Sequence, residues 1–247
     1  MKLSAEERDR YARHILLKEI GGPGQQRLKA ARVAIVGAGG LGAPAALYLA
    51  AAGVGVLRLI DHDTVALSNL QRQIIFRSDD VGAPKAERAA NALRALNANV
   101  IVEARTERLT SDNARQLLED THLVLDGTDD FSTRFAVNEA CRTLGATLIS
   151  GAVGRWSGQV AVFAPNGPCY RCFVPNPPPD AETCERVGVV GALTGVIGSM
   201  VALEAIKHIT EAGQGLSGRI LLFDGLGGEA RTVKLARDPA CPVCGHE

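Results

Sequence analysis

The stretch Val33–Gly42, VAIVGAGGLG, constrains the fold of this chain more than any other. An apolar, β-branched run opens directly into G-x-G-x-x-G, so a buried strand must end where the glycines begin and a helix must start as they finish. The turn between them presents backbone N–H groups and the positive end of a helix, which together make a ready anion site. A strand of this kind belongs inside a parallel sheet covered on both faces. The glycines alone leave open whether the anion is the pyrophosphate of NAD or the triphosphate of ATP.

The rest of 31–150 repeats the theme. RVAIVG, GVLRLID, VIVEAR, HLVLDG and ATLISG read as strands, with LGAPAALYLAAAG, KAERAANALRALN, SDNARQLLED and FSTRFAVNEACRTLG as the helices between them. That alternation predicts right-handed βαβ units and an α/β, Rossmann-like, doubly wound, mainly parallel sheet. After Gly151 the rhythm changes to the strands GQVAVFAP, GRILLFDG and RTVKLAR and one long apolar helix, GALTGVIGSMVALEAIKHIT. In that helix Gly191, Gly195, Gly198 and Ala202 recur at helical spacing and predict a smooth face for close packing. Residues 4–30 are expected to form a helical N-terminal extension outside the sheet. The prolines of VPNPPPDAETCERV cannot join a ladder, so 174–190 is expected to run as a mobile crossover loop. The expected organisation is a single domain over 1–247, with a nucleotide-binding half, 31–150, and a second half, 151–247.

Charge narrows the function. Lys plus Arg, 27, equals Asp plus Glu, 27, so no net field gathers nucleic acid or an anionic membrane. The first residues carry charges throughout and hold no secretory signal, and the uncharged run Val187–Leu203 is shorter than the ~20 residues that span a bilayer. The expected location is cytoplasmic. In that reducing compartment two C-x-x-C pairs favour metal over disulfides: Cys169 and Cys172 in CYRC, with Cys241 and Cys244 in CPVC, make a four-thiolate set suited to a structural, tetrahedral zinc that clips the C-terminal part to the body. Cys141 lies in a helical pattern and reads as a core residue. Cys184, in the crossover loop near Arg186, reads as an exposed thiol in surroundings that favour thiolate, either inert or reactive.

Around the glycine turn the chain supplies chemistry. Asp61, at the end of the second strand, is placed to accept hydrogen bonds from a ribose. The segment DHDTVALSNLQRQIIF then delivers Asn69, Gln71 and Arg72, and GAPKAER places Lys85 just inside the next helix. A dehydrogenase needs no pair of cations there, whereas cleaving a triphosphate between its α and β groups builds charge that Arg72 and Lys85 can neutralise. LDGTDD adds Asp126, Asp129 and Asp130 at the sheet's C-terminal edge, where a carboxylate suits Mg2+.

VGAGGLG, LIDHDTVALSNLQRQ, GAPKAE, LDGTDD, CYRC, GVIGSMVALEAIK and CPVCG together resemble the MoeB/ThiF adenylyltransferases, bacterial relatives of ubiquitin-activating enzymes, over nearly the whole chain. The resemblance implies that ATP adenylates the C-terminal Gly-Gly carboxylate of a small ubiquitin-like sulfur-carrier protein of molybdopterin or thiamine biosynthesis, with carrier binding assigned to 151–247. It implies that Gly40 borders the phosphates, Asp61 binds the ribose, Asn69 and Arg72 reach the phosphates, Lys85 neutralises them and Asp129 holds Mg2+. It further implies a homodimer in which Arg13 reaches the partner's ATP, and a covalent link between Cys184 and the carrier tail in some members. The length leaves no room for an appended rhodanese domain of about 100 residues or more, so the sulfur donor is expected to be a separate cysteine desulfurase or rhodanese-type protein. Asp130 departs from the family's usual Asn and is not expected to be a ligand. The competing readings are an NAD-dependent oxidoreductase and a zinc-stabilised nucleotide-binding module, and carrier-dependent pyrophosphate exchange separates them.

Overall fold

The structure, a computed structural model, describes residues 2–177 and 188–245. The chain begins with three short helices, α1 (Ala5–Arg10), α2 (Ala12–Ile15) and α3 (Gly21–Ala30). Ser4 starts α1 with a reciprocal capping box: its hydroxyl accepts from the Glu7 N–H while Glu7 accepts from the Ser4 N–H. The expected helical extension is therefore broken into segments. It docks on the body through buried polar contacts: Asn97 Nδ2 donates to the Tyr11 hydroxyl at 2.8 Å, and Gln25 Nε2 donates to the Ala52 carbonyl at 2.7 Å.

Among the described residues eight strands follow: β1 (Arg32–Val36), β2 (Val56–Ile60), β3 (Ile101–Arg105), β4 (Leu123–Asp126), β5 (Thr147–Gly154), β6 (Ser157–Phe163), β7 (Arg219–Asp224) and β8 (Glu229–Lys234). They form one sheet in the order β3-β2-β1-β4-β5-β6-β7-β8. Pairing is parallel from β3 through β5 and antiparallel from β5 to β8. The strands seen in the sequence are all present, and the change of rhythm after Gly151 is this change of pairing. Among the described residues, helices α4 (Gly42–Ala51), α5 (Lys85–Leu96), α6 (Ala114–Leu118), α7 (Phe131–Leu144), α8 (Tyr170–Phe173) and α9 (Gly191–Thr210) complete the fold.

Alternation along β1 explains the two cores. Val33 and Ile35 join a cluster with Leu49, Leu57, Ile149 and Ile197 on one face, while Ala34 and Val36 join Val124, Val137 and Leu148 on the other. Each fully buried aliphatic side chain contributes roughly 1.5–3 kcal/mol relative to exposure, so the sheet is held from both sides. Cys141 is buried in the second cluster, as a core residue should be.

Among the described residues α9 is the one helix long and apolar enough to cross a membrane; here it packs on β5, β6, α3 and α4. A Cβ at Gly198 would stand 2.6 Å from the Leu41 carbonyl oxygen and 2.5 Å from Pro44 Cγ, so α9 crosses α4 at a distance only glycine permits. Gly191 and Ala202 share that face. Gly195 does not: it has no atom within 4 Å of its would-be Cβ. At about 100° per residue it lies roughly 60° round the helix from Gly198, beyond the contact.

Candidate active site

In register, Val36 pairs with Ile60 on one side and Asp126 on the other, so β1, β2 and β4 end together. The chain turns in opposite directions from β1 toward β2 and β4, and such a switch point opens a crevice at the C-terminal edge. The crevice is a cavity of about 680 Å3 lined by Gly37, Gly39, Gly40, Asp61, Asn69, Arg72, Gln73, Lys85, Thr128, Asp129, Asp130, Arg134, Tyr170 and Thr194. Gly37 has φ +88°, and a Cβ at Gly42 would lie 1.8 Å from the Gly37 carbonyl oxygen, so the turn closes only with glycine at both places.

Asp61 is tied to this turn. Its Oδ2 accepts the Ala38 N–H at 2.8 Å and its Oδ1 the Asp63 N–H at 2.9 Å. Burial pushes its carboxyl above the ordinary value, against the pull of Lys85 and of both backbone donors. Lys85 is buried, and its Nζ donates to the exposed carboxylate of Asp63 at 3.0 Å. Asp63 feels some desolvation, but the Lys85 ammonium outweighs it and holds the carboxyl below its usual range. Asn69 Oδ1 accepts the Ala66 N–H at 3.2 Å and holds the short turn Leu67–Asn69 that presents Arg72. Arg72 donates to the Ser68 carbonyl at 3.1 Å.

The β4–α7 loop separates three carboxylates. Asp126, 1% exposed, accepts from Thr128 and Ser150 and pairs with Arg134 at 3.3 Å. Arg134 also donates to the Gly151 carbonyl at 3.0 Å and to the Thr128 carbonyl, bracing the loop. Asp130 is the N-cap of α7: it accepts the Thr133 N–H at 2.9 Å, the Ser132 N–H at 3.4 Å and both hydroxyls. Partial burial works against ionisation, but these donors outweigh it and pull its carboxyl down to about 2. Asp129 lines the cavity with an exposed carboxylate that accepts no hydrogen bond from the described residues.

The cavity thus gathers Gly40, Asp61, Asn69, Arg72, Lys85 and Asp129. Gln71 is exposed and outside the lining, its backbone pressed against Gly191; from this segment it is Gln73 that lines the cavity. Arg13 is exposed on α2 and does not line its own chain's cavity. Cys184 and the centre of the crossover loop, 178–187, lie outside the described residues. Arg134 was invisible as a site residue because nothing in FSTRF distinguishes a buried arginine from a solvated one.

The four paired cysteines come together. Their sulfurs all lie within 4.8 Å of one another, with Cys169 and Cys241 3.6 Å apart and Cys172 and Cys244 3.3 Å apart. A tetrahedron of ~2.3 Å zinc–sulfur bonds has edges of about 3.8 Å, so the set fits such an ion. Burial raises the Cys169 and Cys244 thiols, whereas the Val243 and Cys244 backbone donors and the neighbouring thiols bring Cys241 down to about 7; a metal, which requires four thiolates, would displace the remaining protons. Asp238 donates its N–H to Cys172 Sγ at 3.4 Å.

Residues 11–243 match the model of the ThiF family. The chain is 47% identical over 255 residues to a sulfur carrier protein adenylyltransferase of Thermus thermophilus, covering 100% of this chain and 94% of that protein. It is 44% identical over 248 residues to a SAMP-activating enzyme E1 of Haloferax volcanii, covering 100% and 92%. The crystal structure of E. coli MccB with MccA-N7isoASN superimposes with a TM-score of 0.86, over 98% of this chain and 75% of that one, at 23% identity, a likeness of fold alone.

Proposed function

This chain belongs to the ThiF family, and from that premise we propose that it uses ATP to adenylate the C-terminal Gly-Gly carboxylate of a small ubiquitin-like sulfur-carrier protein. Pyrophosphate leaves, and the carrier is left as an acyl adenylate ready for sulfur transfer. The observation that carries this reading is the meeting, in one cavity, of the glycine turn, Asp61 and two cations, Arg72 and Lys85.

A carboxylate oxygen of the carrier attacks the α-phosphorus, and the bond from that phosphorus to the oxygen bridging α and β breaks. Negative charge then gathers on the departing pyrophosphate. Arg72 and Lys85, fixed by Ser68 and Asp63, stand ready to hold it, which is the preorganised stabilisation that lowers such a barrier. Asp61 accepts from the ribose, and Gly40 borders the phosphates. The unengaged carboxylate of Asp129 would hold Mg2+, which supplies charge neutralisation at the phosphates. Cys169, Cys172, Cys241 and Cys244 would hold a structural zinc.

The protein acts as a homodimer in which Arg13 serves the partner's site, and sulfur comes from a separate donor protein. Adenylation itself needs no nucleophilic thiol, so Cys184 acts after this step or not at all. The test is pyrophosphate exchange into ATP with purified Gly-Gly-tailed carriers. Exchange that depends on the carrier supports the reading, and its absence with every carrier that binds would overturn it. In the same assay Cys184→Ser is expected to retain exchange; a folded variant without exchange would move that thiol into the first step.

A further inference from the structure

Gln73 is 4% exposed, it lines the nucleotide cavity, and its carboxamide makes no hydrogen bond among the described residues. Its Oε1 is fully buried and without a partner. Its Nε2 stands 3.5 Å from where a Cβ on Gly39 would be, directly over the glycine turn. The backbone around it is rigid: the Gln73 N–H donates to the Asn69 carbonyl at 2.9 Å, and its carbonyl accepts the Phe76 N–H at 3.1 Å. A buried amide held in place with nothing to bond is unusual, because an unmade hydrogen bond at a buried polar group is destabilising. The end of that amide nearest the glycine turn is the donor Nε2, and an acceptor seated on the turn would complete it; Oε1, itself an acceptor, is left for a donor and not for a phosphate.

We propose that Gln73 contacts the nucleotide, donating from Nε2 to a phosphate oxygen of ATP seated on the glycine turn. The inference rests on the reading of this cavity as an ATP site. A neutral amide suits the position. Arg72, Lys85, Arg108 and Arg134 already line the cavity as full charges, and an uncharged donor adds direction without a further cation that would retard pyrophosphate release. The phosphates, rather than the ribose, are the partner, because the amide lies over Gly39 while the ribose acceptor Asp61 sits at the end of the neighbouring strand.

The test compares the intact wild-type protein with Gln73→Met and Gln73→Glu by calorimetric titration with ATP and, separately, with adenosine, alongside thermal melting without ligand. Gln73→Met is expected to weaken ATP by about 10–100-fold, as for a lost hydrogen bond to a charged group, and to leave adenosine affinity unchanged. Its ligand-free melting temperature should hold or rise, because an unpaired buried amide has been replaced by an apolar chain of similar length. Gln73→Glu, which exchanges only the NH2 for an anionic oxygen, should weaken ATP further and again spare adenosine. Unchanged ATP affinity in folded variants, equal losses for ATP and adenosine, or a lower ligand-free melting temperature with normal ATP affinity would each overturn the proposal. A wild-type protein that binds no ATP would instead overturn the nucleotide reading, and this inference with it.

Discussion

Asp129 and Asp130 are neighbours with opposite employment. Asp130 spends its carboxylate on the first turn of α7, where Asp and Asn cap equally well, which accounts for Asp at a position the resemblance assigns to Asn. Asp130→Ala is expected to lower stability by about 1 kcal/mol, measured by denaturant unfolding, with carrier adenylation preserved. Since its folded pKa, about 2, lies below the ordinary carboxylate value, the contribution of its charge is complete above that ordinary value and fades as pH falls through about 2. Wild type should therefore lose stability relative to Asp130→Asn on acidification from pH 5 to pH 2; parallel curves would contradict the depressed pKa. Asp129, by contrast, faces the cavity unengaged. Asp129→Ala or Arg72→Ala should cut pyrophosphate exchange by about 10²–10³-fold with the fold intact, the usual loss when one transition-state contact goes. Near-normal exchange in both would remove these residues from the chemistry.

The elements divide by how strongly local pattern determines them. The central strands β1, β2 and β4 were legible because burial on both faces demands continuous apolar runs, whereas β8, exposed along its whole length, was legible only from its β-branched residues and its flanking turns; the helix boundaries fell close to their punctuation, as where Gly145 ends α7 in a left-handed conformation at φ +67°. Local pattern failed where tertiary contact decides. The N-terminal extension breaks near Tyr11, whose ring occupies the space left by Gly53. Gly195 shares a spacing with Gly198 but not its contact, and the choice of Gln73 over Gln71 depends on a turn of the loop that spacing cannot resolve. Two predictions belong here. Gly198→Leu must force α9 off Leu41 and Pro44, and should destabilise by at least the ~1–3 kcal/mol of ordinary overpacking, read as a lowered denaturant midpoint. Cys169→Ser should release bound zinc, measured by metal analysis, and expose the C-terminal residues to protease; retention of a full equivalent of zinc would show that the four sulfurs do not act as one site.

At the scale of the whole molecule, the order β3-β2-β1-β4 places the glycine turn at a switch point, and the second half of the chain reaches the same cavity through Gln159, Tyr170 and Thr194. Arg13 lies outside this arrangement, exposed on α2, so the role proposed for it requires a second subunit. If Arg13→Ala and Asp129→Ala are each inactive, mixing them under conditions that exchange subunits should restore activity, because a heterodimer holds one site with both defects and one with neither. Exchange of subunits without recovery would place Arg13 in its own chain's service or outside the site altogether. The central claim is chemical, and intact mass spectrometry of the carrier tests it most directly. Incubated with enzyme, ATP and Mg2+, the carrier should gain one AMP on its C-terminal glycine, with pyrophosphate released in equal amount, and a carrier shortened by its Gly-Gly should gain nothing. ATP consumed to ADP and phosphate with the carrier mass unchanged would contradict the account.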